Sequence, residues 1–192
     1  MKQAGNEAFL SEGGEMGALL RAHNWAATEL GPPETWPQSL KTAVGLLLNS
    51  GYPMYIGWGP NFIQIYNDAY RPILGDTKHP AALGRSTHDT FAEIWDLIGP
   101  MFQTVLEQAK ATTFTDHLLF LNRFGFPEEC YFVFSYSPVL LESGKAGGVF
   151  VTCLETTDRV LRERRQRVLR DVAAIHAQSG RAQIFASAVQ AI

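Results

Sequence analysis

Apolar positions change their period several times along this chain. Leu40, Ala43, Val44 and Leu47 recur at helical spacing until Asn49-Ser50-Gly51 stops them. Thr35 and Gln38 stand at capping-box distance ahead of that run, and Pro37 is tolerable in a first turn, where its missing N–H is not needed. The pattern then becomes that of strands. "PMYIGW" and "FIQIY" are separated by Gly59-Pro60-Asn61, a hairpin signal with a loop. At Tyr66 the strand pattern breaks off. Asn67-Asp68 follows, placed to cap a short helix over 69–74 that Gly75 can close.

"HPAALGRSTHDTFAEIW" reads as short helical turns, and Ile98, Met101, Phe102, Val105 and Leu106 then mark one longer amphipathic helix to about Gln108. Pro100 must sit in its first turn or kink it. Three more strands follow, predicted over 113–121, 130–139 and 148–155, joined by "NRFGFP" and the turn-like "ESGKAGG". The order predicts an α+β chain: a five-stranded antiparallel sheet with short helices packed on one face, an N-terminal helical segment and a C-terminal linker helix.

After Thr157 the composition turns Arg-rich. Leu161, Val168 and Ile175 repeat every seven residues with Val172 between them, a short coiled-coil-like seam interrupted by Arg165. Ser179-Gly180 is expected to break that helix, and a further apolar helix begins beyond it. The expected divisions are an N-terminal extension over 1–35, the sheet domain over 36–157, a linker helix over 158–178 and the start of a following domain over 179–192.

Composition narrows the class. With 46% hydrophobic and 18% charged residues, the 192-residue chain reads as globular. No apolar run approaches the ~20 residues of a membrane span, and no secretory signal is visible. Cys130 and Cys153 lack CxxC spacing and lie in strand-like runs, so reduced, buried thiols in a cytoplasmic protein are expected. The net charge of −3 hides an asymmetry: residues 158–170 carry six arginines against Asp158 and Glu163, a local +4. That run lacks interleaved aromatics, so it reads as a solvated helix face and not as a nucleic-acid site.

The element order, the "YNDAY" corner and the run "GGVFVTCLETTDRVLRERR" resemble a PAS domain. More narrowly, "MGALLRAHNWAATELGPPETWPQSLKTAVGLLLNS", "EIWDLIGPMFQTVLEQ" and "YFVFSYSPV" resemble the N-terminal PAS domain of bacterial multi-domain sensor histidine kinases. Where many members end in Asp-Ile-Thr, this chain has Glu155-Thr156-Thr157, an acid one methylene longer whose tether to the domain is then altered. The resemblance implies a cavity beneath the corner at Asn67. Matching "FSYSP" points Phe132, Phe134 and Tyr136 inward, and Val149, Val151 and Cys153 likewise. Leu118 and Phe120 on the third strand and Trp95, Met101 and Val105 on the helices complete the expected lining. The same residues could equally form a solid core. The resemblance also implies that the final residues enter a GAF-type domain.

Catalysis finds no constellation. His176 in "AAIHAQ" lacks an acidic neighbour, no ATP-binding segment is present, and Gly57-x-Gly59 is followed by Pro instead of a helix. Among cofactors of this fold, a flavin–thiol adduct needs a Cys where Gly84-Arg85-Ser86-Thr87 stands, and haem needs a His on a long helix that has none. His117 on the third strand reads as a structural histidine, and His79 and His88 are too unconnected to suggest a metal. A non-covalent flavin or another small molecule stays open. Two readings remain: a ligand-sensing input domain of a histidine kinase, or a ligand-free module that dimerises its parent. For either, a homodimer is expected, with Leu19, Leu20 and Trp25 packing against a partner and the seam at Leu161, Val168, Val172 and Ile175 continuing the contact. Downstream sensory and kinase domains of the same polypeptide are the other expected partners, with neither nucleic acid nor membrane.

Overall fold

The computed structural model describes residues 8–10 and 13–190, with side chains described as far as residue 176. The chain divides into two units, Met1–Glu155 and Thr156–Ile192.

The first unit is built on five antiparallel strands: β1 (Met54–Trp58), β2 (Ile63–Tyr66), β3 (Thr112–Asn122), β4 (Pro127–Leu140) and β5 (Ala146–Glu155), in spatial order β2-β1-β5-β4-β3. Strand alternation splits the sheet into two faces. Tyr55, Phe132, Phe134, Tyr136, Val149, Val151 and Cys153 share the inner face, covered by α3 (Arg71–Lys78), α4 (Thr87–Thr90) and α5 (Trp95–Gln108). Phe102 of α5 lies against Tyr136 at 4.5 Å and Phe62 at 5.1 Å between ring centroids. Pro100 falls in the second turn of α5, one turn later than the sequence places it.

The N-terminal segment belongs to this same unit. In α1 (Gly14–Ala22) Met16 and Leu20 are fully buried, and in α2 (Gln38–Leu48) so are Leu40, Val44 and Leu47. Helix α2 lies beside β1, with Met54 and Phe150 of the outer face next to it. The Trp25 indole N–H donates to the Leu20 carbonyl at 2.7 Å, and its ring meets Trp36 edge-on at 5.0 Å. This overturns the expected dimer surface: Leu20 and Trp25 fill their own chain's core, and Leu19 packs against it half-buried. Each fully buried leucine here contributes about 2 kcal/mol of transfer free energy. An apolar face that a helix can bury at home is not left for a partner.

Two capping expectations also fail. Thr35 ends a 3₁₀ turn and its hydroxyl donates to the Pro32 carbonyl at 2.8 Å, so it is turned away from α2; Pro37, without a side-chain cap, starts that helix. At the second corner the cap is Asn67 alone, accepting from the Tyr70 N–H. Asp68 serves another helix, accepting the Met16 N–H of α1 at 3.0 Å. Gly75, at φ 63°, interrupts α3 where a Cβ would run into Arg123, and helical hydrogen bonding resumes to Lys78.

The second unit is one helix, α6 (Thr157–Gln190), which passes through Ser179-Gly180 without the expected break. Packing and chain length outweigh a single glycine's preference of about 1 kcal/mol. Val168, Leu169, Val172 and Ile175 are exposed along it, and Leu161 is half-buried. Arg159 and Glu163 pair one turn apart at 3.0 Å. No helix among the described residues is long and apolar enough to cross a membrane.

Candidate ligand cavity

Between the inner face and the short helices lies a buried cavity of about 40 Å³. Strand β4 presents Phe132, Phe134 and Tyr136 to it, and β5 presents Val151 and Cys153. Those five were expected there. Val149 is buried on the same face but outside the lining, its cross-strand partner being Gly57. Val105 is fully buried in the core, and Trp95 and Met101 pack half-buried against it; none of the three reaches the cavity.

On β3 the expectation is reversed. Leu118 and Phe120 are 38% and 56% exposed, while Leu119 and Leu121 line the cavity. The cause is a bulge. Phe114 pairs with Phe134 and His117 with Phe132, so two β3 residues oppose Val133 alone, and Asp116 sits at φ 49°. One inserted residue moves every later side chain to the other face. Aspartate is among the few residues that tolerate that backbone region, and its place inside an apolar strand is the signal that could have found the bulge.

The remaining wall comes from residues the strand pattern cannot reach: Tyr55 of β1, Tyr70, Ile73 of α3, and Phe91, Ile94 and Ile98 ahead of and within α5. Tyr70 is set by the Asn67 corner. Asn67 is 1% exposed, and its side chain makes five hydrogen bonds: it accepts from the N–H groups of Met54 and Tyr70 and donates to the carbonyls of Leu47, Ser50 and Tyr52. It therefore does not face the cavity. Instead it ties α2, β1 and the 3₁₀ turn Asp68–Tyr70 together, and so fixes the Tyr70 ring against Tyr55 at 4.9 Å.

The cavity is electrically quiet. Burial raises the pKa of Tyr55, Tyr70, Tyr136 and Cys153, and each group's neighbours among the four raise Tyr55, Tyr70 and Tyr136 further. Burial, followed by the nearby Glu155 carboxylate, lifts the Cys153 thiol well above its ordinary value. All four are neutral near pH 7, and none is primed as a nucleophile. The Tyr70 and Tyr136 rings are each 4% exposed, and neither hydroxyl makes a hydrogen bond to a described residue.

At the opposite end of β3, Arg123 is 7% exposed and grips Glu155 with two bonds, of 2.8 and 3.0 Å, while its Nε donates to Glu128 at 3.0 Å. Burial opposes its charge, but these carboxylates more than offset it and hold the guanidinium pKa above its ordinary value. The longer acid at 155 thus keeps an anchor at the strand's end. Nothing in the strand pattern identifies Arg123 as its partner.

A family model described as the PAS fold matches residues 62–161. This chain belongs to the PAS family. None of the curated proteins compared with it matches. Among solved structures, it is similar to an RNA-binding light-oxygen-voltage receptor, at 20% identity and a TM-score of 0.49, over 78% of this chain and 41% of the receptor. It is also similar to a sensory box sensor histidine kinase from Vibrio cholerae, at 15% identity and TM-score 0.43, over 62% and 94% of the two chains. The PAS domain of BvgS from Bordetella pertussis gives 16% identity and TM-score 0.46, over 66% and 93%. The PAS assignment rests on the family model, and the cavity lies on the inner face of that PAS sheet.

Proposed function

We propose that this PAS chain is the non-catalytic sensory input segment of a bacterial, cytoplasmic histidine kinase, and that a small molecule in the cavity is its signal. One observation carries the reading: five cavity residues lie on the adjacent strands β4 and β5, and β5 runs within two residues of chain into α6. A ligand that repositions Val151 or Cys153 acts on the strand from which the helix continues. Such a shift is worth only the ligand's differential affinity for the two arrangements. The test is native mass spectrometry of the full chain incubated with metabolite pools, followed by hydrogen exchange. A retained molecule should slow exchange in β4 and β5 and alter it over 157–176. Failure to retain any molecule from any pool would leave the sensory reading without support.

A second reading, a homodimerising module, has its own observation. The N-terminal layer covers the outer face at β1 but leaves Leu118, Phe120 and Leu154 exposed on β3 and β5, and α6 exposes its apolar seam. Sedimentation of Phe120→Asp and Val168→Asp tests it: loss of a dimer in either variant locates the contact, and a monomeric parent chain at high concentration dismisses it.

A further inference from the structure

The cavity's size and chemistry restrict what it can hold, and this argument rests on the sensory reading above. A single water needs about 10–15 Å³ measured in this way, and cavities that hold benzene are about 150 Å³. A space of about 40 Å³ is therefore too small for one six-membered ring, and far too small for flavin or haem. No charged side chain lines it, so an ion entering would lose its hydration without a counter-charge. The wall is apolar and aromatic except at one cluster. There the hydroxyls of Tyr70 and Tyr136, both nearly inaccessible, have no described partner, whereas the Tyr55 hydroxyl has the Thr87 side chain. A buried hydroxyl without a partner costs about 1–3 kcal/mol, so this pair favours an occupant that satisfies it. A phenol donates more readily than it accepts, and a carbonyl oxygen has two lone pairs to take two donors.

We propose that the cavity binds an uncharged short-chain ketone or aldehyde of about four or five non-hydrogen atoms, its carbonyl oxygen accepting from Tyr70 and Tyr136. The alkyl part meets Ile73, Ile98, Leu119 and Val151. The Cys153 thiol, held neutral, is a spectator.

The test is a methyl-detected NMR titration of the full chain with 2-butanone, propionate, phenol and riboflavin. Butanone should give saturable shifts at the methyls of Ile73, Ile98, Leu119 and Val151. Tyr70→Phe and Tyr136→Phe, which keep their rings, should each weaken it about five-fold, the worth of one neutral hydrogen bond. Propionate, of matching size but charged, should leave those methyls unmoved. Equal binding of propionate overturns the charge argument, and unchanged affinity in both tyrosine variants overturns the assigned donors. If phenol or riboflavin saturates the cavity and butanone does not, the size class is wrong while the sensory reading survives. If none of the four probes and no metabolite pool binds, both fall.

Discussion

Asn67 and Tyr70 are three residues apart and equally inaccessible, yet their polar atoms fare differently. The Asn67 carboxamide makes five hydrogen bonds where α2 meets the start of β1, while the Tyr70 hydroxyl faces the cavity with none to a described residue. The same contrast holds between the two sides of the sheet. On the outer side Trp25 donates to Leu20, Asp68 accepts from Met16, and the leucines of α1 and α2 are fully buried. On the inner side the packing leaves a cavity beside Tyr70 and Tyr136. Native interiors rarely leave buried polar groups unmatched, so where they do, a site is the first hypothesis. The outer layer holds the fold; the inner face is where the fold is left incomplete.

The largest expected effect comes from Asn67→Ala. It strands two N–H groups and three carbonyls in a dry junction and should destabilise the chain by about 4 kcal/mol in urea unfolding. Asp68→Ala, which removes only the cap on α1, should cost about 1 kcal/mol. Next is Leu20→Ala, which opens a cavity in the N-terminal layer and should cost about 3 kcal/mol whatever the protein concentration. A concentration-dependent loss would return Leu20 to a dimer interface and undo the contrast.

A smaller effect is set by pH. Burial lowers the pKa of His23 and His79 below 6.5, the nearby Arg71 contributing at His79. The unfolded chain then binds more protons than the native one just below pH 6.5. Stability from this source is full above that value and is lost as pH falls toward the lowered folded pKa values. Melting temperature should drop between pH 7.5 and 5.5, and the drop should shrink in His23→Gln/His79→Gln. An unchanged slope in the double variant assigns the effect elsewhere.

How far the sequence could be read follows the range of the interactions. Local alternation placed Phe132, Phe134, Tyr136, Val151 and Cys153 on the cavity wall because nothing interrupts β4 or β5 there. The same rule misplaced Leu118 and Phe120, since one backbone irregularity at Asp116 reverses the parity of all that follows. Tyr55, Ile73, Phe91, Ile94 and Ile98 come together only through tertiary packing, which no single period encodes. Asn67 was legible as a cap, but its bonds to Leu47, Ser50 and Tyr52 depend on where α2 ends in space. The helical heptads of α1 and α2 show that a face is buried without showing against what. That is why Leu20 and Trp25 could be assigned to a partner.

The smallest expected effect is the most direct test. If the inner hydroxyls serve a ligand and not the fold, Tyr70→Phe/Tyr136→Phe removes two polar groups that stabilise nothing in the empty chain. Calorimetry of the ligand-free double variant should show a melting temperature equal to the parent's or a few degrees higher, since ~1 kcal/mol corresponds to roughly 2–4 °C at this chain length. A fall of more than about 5 °C would mean the hydroxyls hold the native packing together, and the division between an outer face that stabilises and an inner face that senses would be wrong.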